Sequence, residues 1–185
     1  SKTHLLLNMF NDADRAFYNI GKLYPVRKIE HDVMMRYLSL AFDNTGFRIN
    51  TENLIKIIEE AHNIPHYVQY LASIVWQIGL EQDKIIDEQT LDKAINKILD
   101  NQNDYYLMLY DNLTVPQRNL LMALIQENTN VFSRDYSQKY NLSSGSSTQR
   151  ALSALIDAYI IEKSGNEYRF SDPFFPKYLR LRNSA

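Results

Sequence analysis

The sequence contains no cysteine. That absence excludes disulfides, thiolate zinc sites and cysteine nucleophiles, and it fits a reducing compartment. Long apolar runs are also missing. Stretches such as Ala158-Tyr159-Ile160-Ile161 fall far short of the roughly 20 residues that a membrane-spanning helix requires. No signal-peptide pattern is visible, so a soluble, cytoplasmic protein that engages no membrane is expected. There is no internal repeat and no low-complexity tract. There is also no initiator Met, and Leu5, Leu6, Met9 and Phe10 already share one helical face at the start, so the chain reads as a piece of something longer.

A strong charge of either sign is lacking as well. The net charge of -2 divides near Leu113: residues 1–113 hold 11 Lys+Arg against 16 Asp+Glu, and residues 114–185 hold 9 against 6. An excess of +3 in the second part falls below a true basic patch. The four histidines suggest no metal site. His62 and His66 stand four apart, but Pro65 opens a new helix between them, so they need not share a face. No nucleophile–base order and no carboxylate pair stands out from solvated helix faces. The 13 tyrosines suit amphipathic packing better than a base-stacking platform.

What is present is helical periodicity. In the stretch from Asn63 to Trp76, Val68, Leu71, Ala72, Val75 and Trp76 line one helix face and include the only Trp. Pro65 has the backbone geometry of a first helical turn, and Asn63 can take the left-handed conformation that ends the preceding helix, Thr51 to His62. A tight helix-turn-helix corner is expected there. Val33, Met34, Tyr37, Leu38 and Ala41 mark an earlier helix that stops at Asn44-Thr45-Gly46, and Thr51 is placed to cap the next, with Leu54, Ile57, Ile58 and Ala61 buried. Leu91, Ala94, Ile95, Ile98 and Leu99 give another face, which either runs on toward Leu113 or breaks at Asn101-Gln102-Asn103. Phe17 to Ile29 reads as a connector.

After Leu113 the pattern changes. Thr114 caps a helix with Pro116 in its first turn, and Ser133 caps a short one. A third helix puts Thr148, Ala151, Leu152, Leu155, Ile156 and Tyr159 on its inner face. Two strand-like runs, Ile160 to Lys163 and Glu167 to Phe170, flank a Ser164-Gly165-Asn166 turn. This order describes a winged helix. Ser171-Asp172-Pro173 then starts a last helix with Asp172 as its cap; Phe174, Phe175, Tyr178 and Leu179 should fold back onto a core. The fold class is therefore mainly α: a helical bundle, then a winged helix with a small hairpin wing. On the outward face of the third helix lie Ser146, Ser147, Gln149, Arg150, Ser153 and Asp157. Ser146, Ser147, Gln149 and Arg150, with Lys163 and Arg169 on the wing, are candidates for contact with DNA or with a protein partner.

Three stretches resemble the archaeal-type ATPases of the signal-transducing (STAND) branch of AAA+ proteins. They are Ser1-Lys2-Thr3-His4-Leu5 through Met9-Phe10 with Phe17-Tyr18; Ile64-Pro65-His66-Tyr67-Val68-Gln69 through Trp76; and Ser147-Thr148-Gln149-Arg150-Ala151-Leu152 with Ser171-Asp172-Pro173-Phe174-Phe175. The resemblance implies that residues 1–29 are the end of a nucleotide-binding core and a connector, 30–112 a helical lid, and 113–185 a winged helix with a C-terminal helix. It also implies that Asn63, Pro65, His66 and Tyr67 occupy the family's Gly-x-Pro lid element, which touches nucleotide. Asn stands where the family has Gly. The family's Gly-x-x-x-x-Gly-Lys-Ser/Thr loop and magnesium-binding acid are absent here, so no hydrolysis and no bound cofactor are expected of this chain alone. ATP or ADP with magnesium belongs to a full-length parent, whose N-terminal core is the implied partner. The alternative is a stand-alone DNA-binding regulator whose helical part dimerises or senses an effector.

Overall fold

The computed structural model describes residues Ile29–Ser184; the readings on Ser1–Phe10 and on nearly all of the connector fall outside them. In chain order the elements are α1 (His31–Asn44), β1 (Arg48–Ile49), α2 (Thr51–Glu60), α3 (Pro65–Leu80), β2 (Ile85–Ile86), α4 (Glu88–Asn101), α5 (Asn103–Asp111), α6 (Val115–Gln126), α7 (Arg134–Lys139), α8 (Gly145–Asp157), β3 (Ile161–Ser164), β4 (Glu167–Phe170) and α9 (Phe175–Ser184). Two compact units result. One joins 29–118 to the C-terminal residues from 172 onward, and the other contains 119–171.

The first unit is a helical bundle. Ile57, Val68, Leu71, Val75, Ala94 and Ile98 are fully buried, and each large side chain so buried contributes about 1.5–3 kcal/mol. Three of its details differ from the sequence reading. The core stripe of α1 is Met34, Leu38 and Phe42, while Val33 and Tyr37 are about half exposed and Ala41 faces out. The cap of α2 is Asn50, whose side chain accepts the Asn53 N–H at 2.7 Å, not Thr51. α2 stops at Glu60, because His62 and Asn63 both adopt left-handed backbone (φ 52° each).

Two features hold the bundle's far side. A pair of two-residue strands, β1 and β2, runs parallel with Arg48 opposite Ile85 and Ile49 opposite Ile86, and Asn53 Nδ2 donates to the Ile86 carbonyl at 3.1 Å. α3 approaches this pair closely at Gly79, where a Cβ would lie 2.4 Å from Ile86 Cδ1 and 2.8 Å from Phe47 Cε1. A capping box starts α4: Asp87 accepts the Thr90 N–H at 2.8 Å, and Thr90 Oγ1 accepts the Asp87 N–H at 3.4 Å. The Thr90 hydrogen bonds hold the Asp87 carboxyl below its ordinary range. α4 and α5 do break apart, at Gln102.

The second unit is a winged helix, formed by most of α6, then α7, α8 and the antiparallel hairpin β3–β4. Ser133 caps α7 by accepting the Tyr136 N–H at 3.0 Å, and Gln117 reaches back to accept the Thr114 N–H ahead of α6 at 2.7 Å. Ser164 pairs with Glu167, leaving a two-residue turn whose first residue, Gly165, has φ 62°, as hairpin turns with glycine first require. Leu120, Leu121, Leu152, Leu155, Ile161 and Phe170 form the core. Tyr159 does not join it. It sits in the turn after α8 at φ 57°, with 43% of its surface exposed.

The last helix, α9, which the sequence groups with the winged helix, makes its contacts within the helical unit. Tyr106 from α5 packs on Phe175 and Tyr178, with ring centroids 5.3 Å apart in both pairs. Lys177 pairs with Glu60, and Arg182 lies 4.5 Å over the Tyr110 ring.

Candidate functional site

The corner between α2 and α3 holds the four residues expected to touch nucleotide. Asn63 reaches its position by the left-handed conformation foreseen for it, and its N–H donates to the Ile58 carbonyl at 2.8 Å, closing α2. Its side-chain Nδ2 donates to the Ile29 carbonyl at 3.0 Å, and Oδ1 is buried with no hydrogen-bond partner among the described residues. Pro65 is the first residue of α3. The N-cap position is Ile64, whose side chain cannot accept a hydrogen bond, so α3 begins without a side-chain N-cap.

His66 and Tyr67 diverge in role. His66 is exposed and meets the Tyr67 ring edge to face at 5.1 Å. Tyr67 is half-buried and packs against Phe174 at 6.0 Å. Burial, and then the negative charge of Asp172, push its phenol up to about 12, so it stays protonated at neutral pH.

Asp172 stands at the centre of this packing, and the sequence foresaw only its capping role. One carboxylate oxygen accepts the Phe174 N–H at 2.8 Å, and the other accepts the Tyr106 hydroxyl at 2.9 Å. Burial raises the Asp172 carboxyl above its ordinary value, opposed by the hydrogen bonds from Phe174 and Tyr106 and by the nearby His66. Burial also drives the Tyr106 phenol well above its usual range. No sequence signal links Asp172 to Tyr106, because the two lie 66 residues apart.

A groove runs between α1 and α3, with Tyr37, Phe42, Gln69, Ala72 and Trp76 among its lining residues. Its volume is about 320 Å³. The sequence reading placed Tyr37, Ala72 and Trp76 in the core; Tyr37 is instead exposed, and Ala72 and Trp76 are only partly covered. Trp76 Nε1 donates to Thr45 Oγ1 at 3.2 Å.

On the winged helix, Ser146, Gln149 and Arg150 are exposed on α8 and Ser147 is half-buried. Gln149 donates to Ser153 Oγ at 3.3 Å. The wing residues do not converge. Ile161 and Lys163 alternate with Glu162 along β3, and Lys163 pairs with Tyr168 while Glu162 pairs with Arg169. Strand alternation therefore puts Lys163 and Arg169 on opposite faces of the hairpin. Arg169 is also held by Glu167, at 2.7 Å from Nη2 and 3.1 Å from Nε. Residues 119–171 hold five Lys+Arg and five Asp+Glu. The basic excess after Leu113 instead comes from Arg118, Lys177, Arg180 and Arg182 against Asp172, all in the helical unit.

Among the described residues, no helix is long and apolar enough to cross a membrane, and no cluster of His, Cys, Asp and Glu could hold a metal ion.

Comparison with known proteins supports the architecture. The family model described as "Probable winged helix domain" matches residues 104–181. No curated protein matches the chain. Among solved structures, a Walker-type ATPase of Pyrococcus abyssi is similar over 97% of this chain, with a TM-score of 0.65 and 16% identity. The chain spans 49% of that protein's length, so the likeness is one of fold.

Proposed function

We propose that this chain is the helical lid and winged-helix half of a nucleotide-binding ATPase of the STAND type. In this reading the lid closes on nucleotide held by a separate core and relays that closure to the winged helix, which docks on protein. The observation that carries it is the likeness of nearly the whole chain to half of a Walker-type ATPase. The corner adds support. The positive end of α3 lacks a side-chain cap, and such an end suits a phosphate brought to it.

The chain has no phosphate-binding loop of its own, so its contribution is contact and movement, with ATP or ADP and magnesium held by the core. ATP and ADP would favour different lid positions only through different contacts with the corner. Protein is favoured over DNA as the winged helix's partner because residues 119–171 carry no net charge and the two basic wing residues face apart, whereas DNA binding draws on clustered cations.

Two measurements test this. The coding sequence upstream of Ser1 should contain an in-frame Gly-x-x-x-x-Gly-Lys-Ser/Thr loop; a start codon with no such loop before it would overturn the ATPase reading. Titration of the chain with random duplex DNA at about 50 and about 200 mM salt should show no salt-sensitive binding. Binding that collapses with salt and with an Arg150→Ala, Lys163→Ala double substitution would make DNA the partner instead.

A further inference from the structure

α1 has a second apolar face besides the one it buries. Its core residues are Met34, Leu38 and Phe42, while Val33, Tyr37 and Leu40 remain 46%, 51% and 61% exposed. Together with the exposed Asn44, they follow the alternating four- and three-residue spacing of the d and a positions in a helix–helix seam. The 14 residues of α1 span two such heptads. The borders of this seam differ. On the α3 side it meets the groove, to which Tyr37 itself belongs and whose α3 wall includes the uncharged Gln69, Ala72 and Ser73. On the other side, at the g positions, stand the exposed Arg36 and Asp43, seven residues apart. Asp43 accepts a hydrogen bond from Ser39 Oγ at 3.4 Å, within the same helix.

We infer that this face docks a second copy of the chain, α1 against α1, antiparallel about a two-fold axis. That symmetry sets Tyr37 of each copy against Leu40 of the other, and Val33 against Asn44. Antiparallel helices also bring g beside g, so the same register places Arg36 of each copy opposite Asp43 of the other. A two-fold interface requires a patch that complements itself, and this one does so in both spacing and charge. Charge also selects the face. Residues 29–113 hold 6 Lys+Arg against 14 Asp+Glu, so acidic surfaces of two copies repel, whereas the charges bordering this seam cancel. Three large side chains a copy fall short of the roughly 20 residues a side of a standard interface. The dimer is therefore weak, and concentration drives it. Dimerisation is a property of the chain itself and does not depend on the ATPase reading.

Sedimentation equilibrium of the intact chain from about 5 to about 500 μM, with each variant's fold checked by Trp76 fluorescence, tests the interface. The wild-type mass should double across that range. Leu40→Glu, a change at an exposed position, should stay monomeric throughout. Arg36→Glu and Asp43→Arg each set like charges across the seam and should each weaken the dimer by on the order of tenfold. An equimolar mixture of those two variants should recover it, and so should the double substitution in one chain, because opposite charges then face each other again. A wild-type chain monomeric at every concentration would overturn the inference and leave the seam to a different partner. A dimer that survives Leu40→Glu, or a mixture that recovers nothing, would overturn it as well.

Discussion

Asp172 shows how a single carboxylate is held against the cost of burial. Desolvation favours its neutral form, while the Phe174 N–H and the Tyr106 hydroxyl favour its charged form, and the balance leaves its pKa above the ordinary 3.8. The sign follows by linkage. A folded pKa raised above the unfolded one means that the folded state holds the proton more tightly. The stabilising contribution is thus complete below 3.8 and is lost as pH rises through the raised folded value. Urea midpoints of wild type and Asp172→Asn, compared from about pH 3 to about pH 7, should shift in favour of the Asn variant as pH rises. A constant difference across that range would show that the Asp172 pKa is the same folded and unfolded.

Elements were legible in the sequence where side-chain chemistry acts locally. Asn63 ends α2 and Pro65 opens α3 because each matches a backbone conformation within one turn, and Gly165 marks the wing turn for the same reason. Phase was less legible. α1 carries apolar residues at Val33, Met34, Tyr37, Leu38, Leu40, Ala41 and Phe42, enough for two overlapping stripes, and only packing selects Met34, Leu38 and Phe42. β1 and β2 are two residues each, too short for alternation to register. The cap of α2 was off by one because Asn50 and Thr51 are both good caps and only Asn50 accepts the Asn53 N–H. Asn50→Ala should therefore cost about 1 kcal/mol in urea unfolding, with Thr51→Ala close to neutral. The opposite ranking would return the cap to Thr51.

At the scale of the molecule, charge and long-range packing explain what the sequence order hid. Residues 29–113 hold 6 Lys+Arg against 14 Asp+Glu, and the segment that returns to them carries Lys177, Arg180 and Arg182. A basic tail on an acidic bundle is favourable through the general field. Exposed pairs add little by themselves, so the affinity must come mainly from Phe174, Phe175, Tyr178 and Leu179, all buried. Their partners Tyr67 and Tyr106 lie so far back along the chain that no local pattern could announce them. The position of α9 can be tested through the only Trp. Trp76 sits in α3 beside Phe47, with ring centroids 5.5 Å apart, so its fluorescence reports on the helical unit. Phe174→Ala opens a cavity at a site 1% exposed and should lower the stability read by Trp76 by about 3–5 kcal/mol. Were the terminal helix energetically part of the winged helix, the substitution would leave the Trp76 transition where it was.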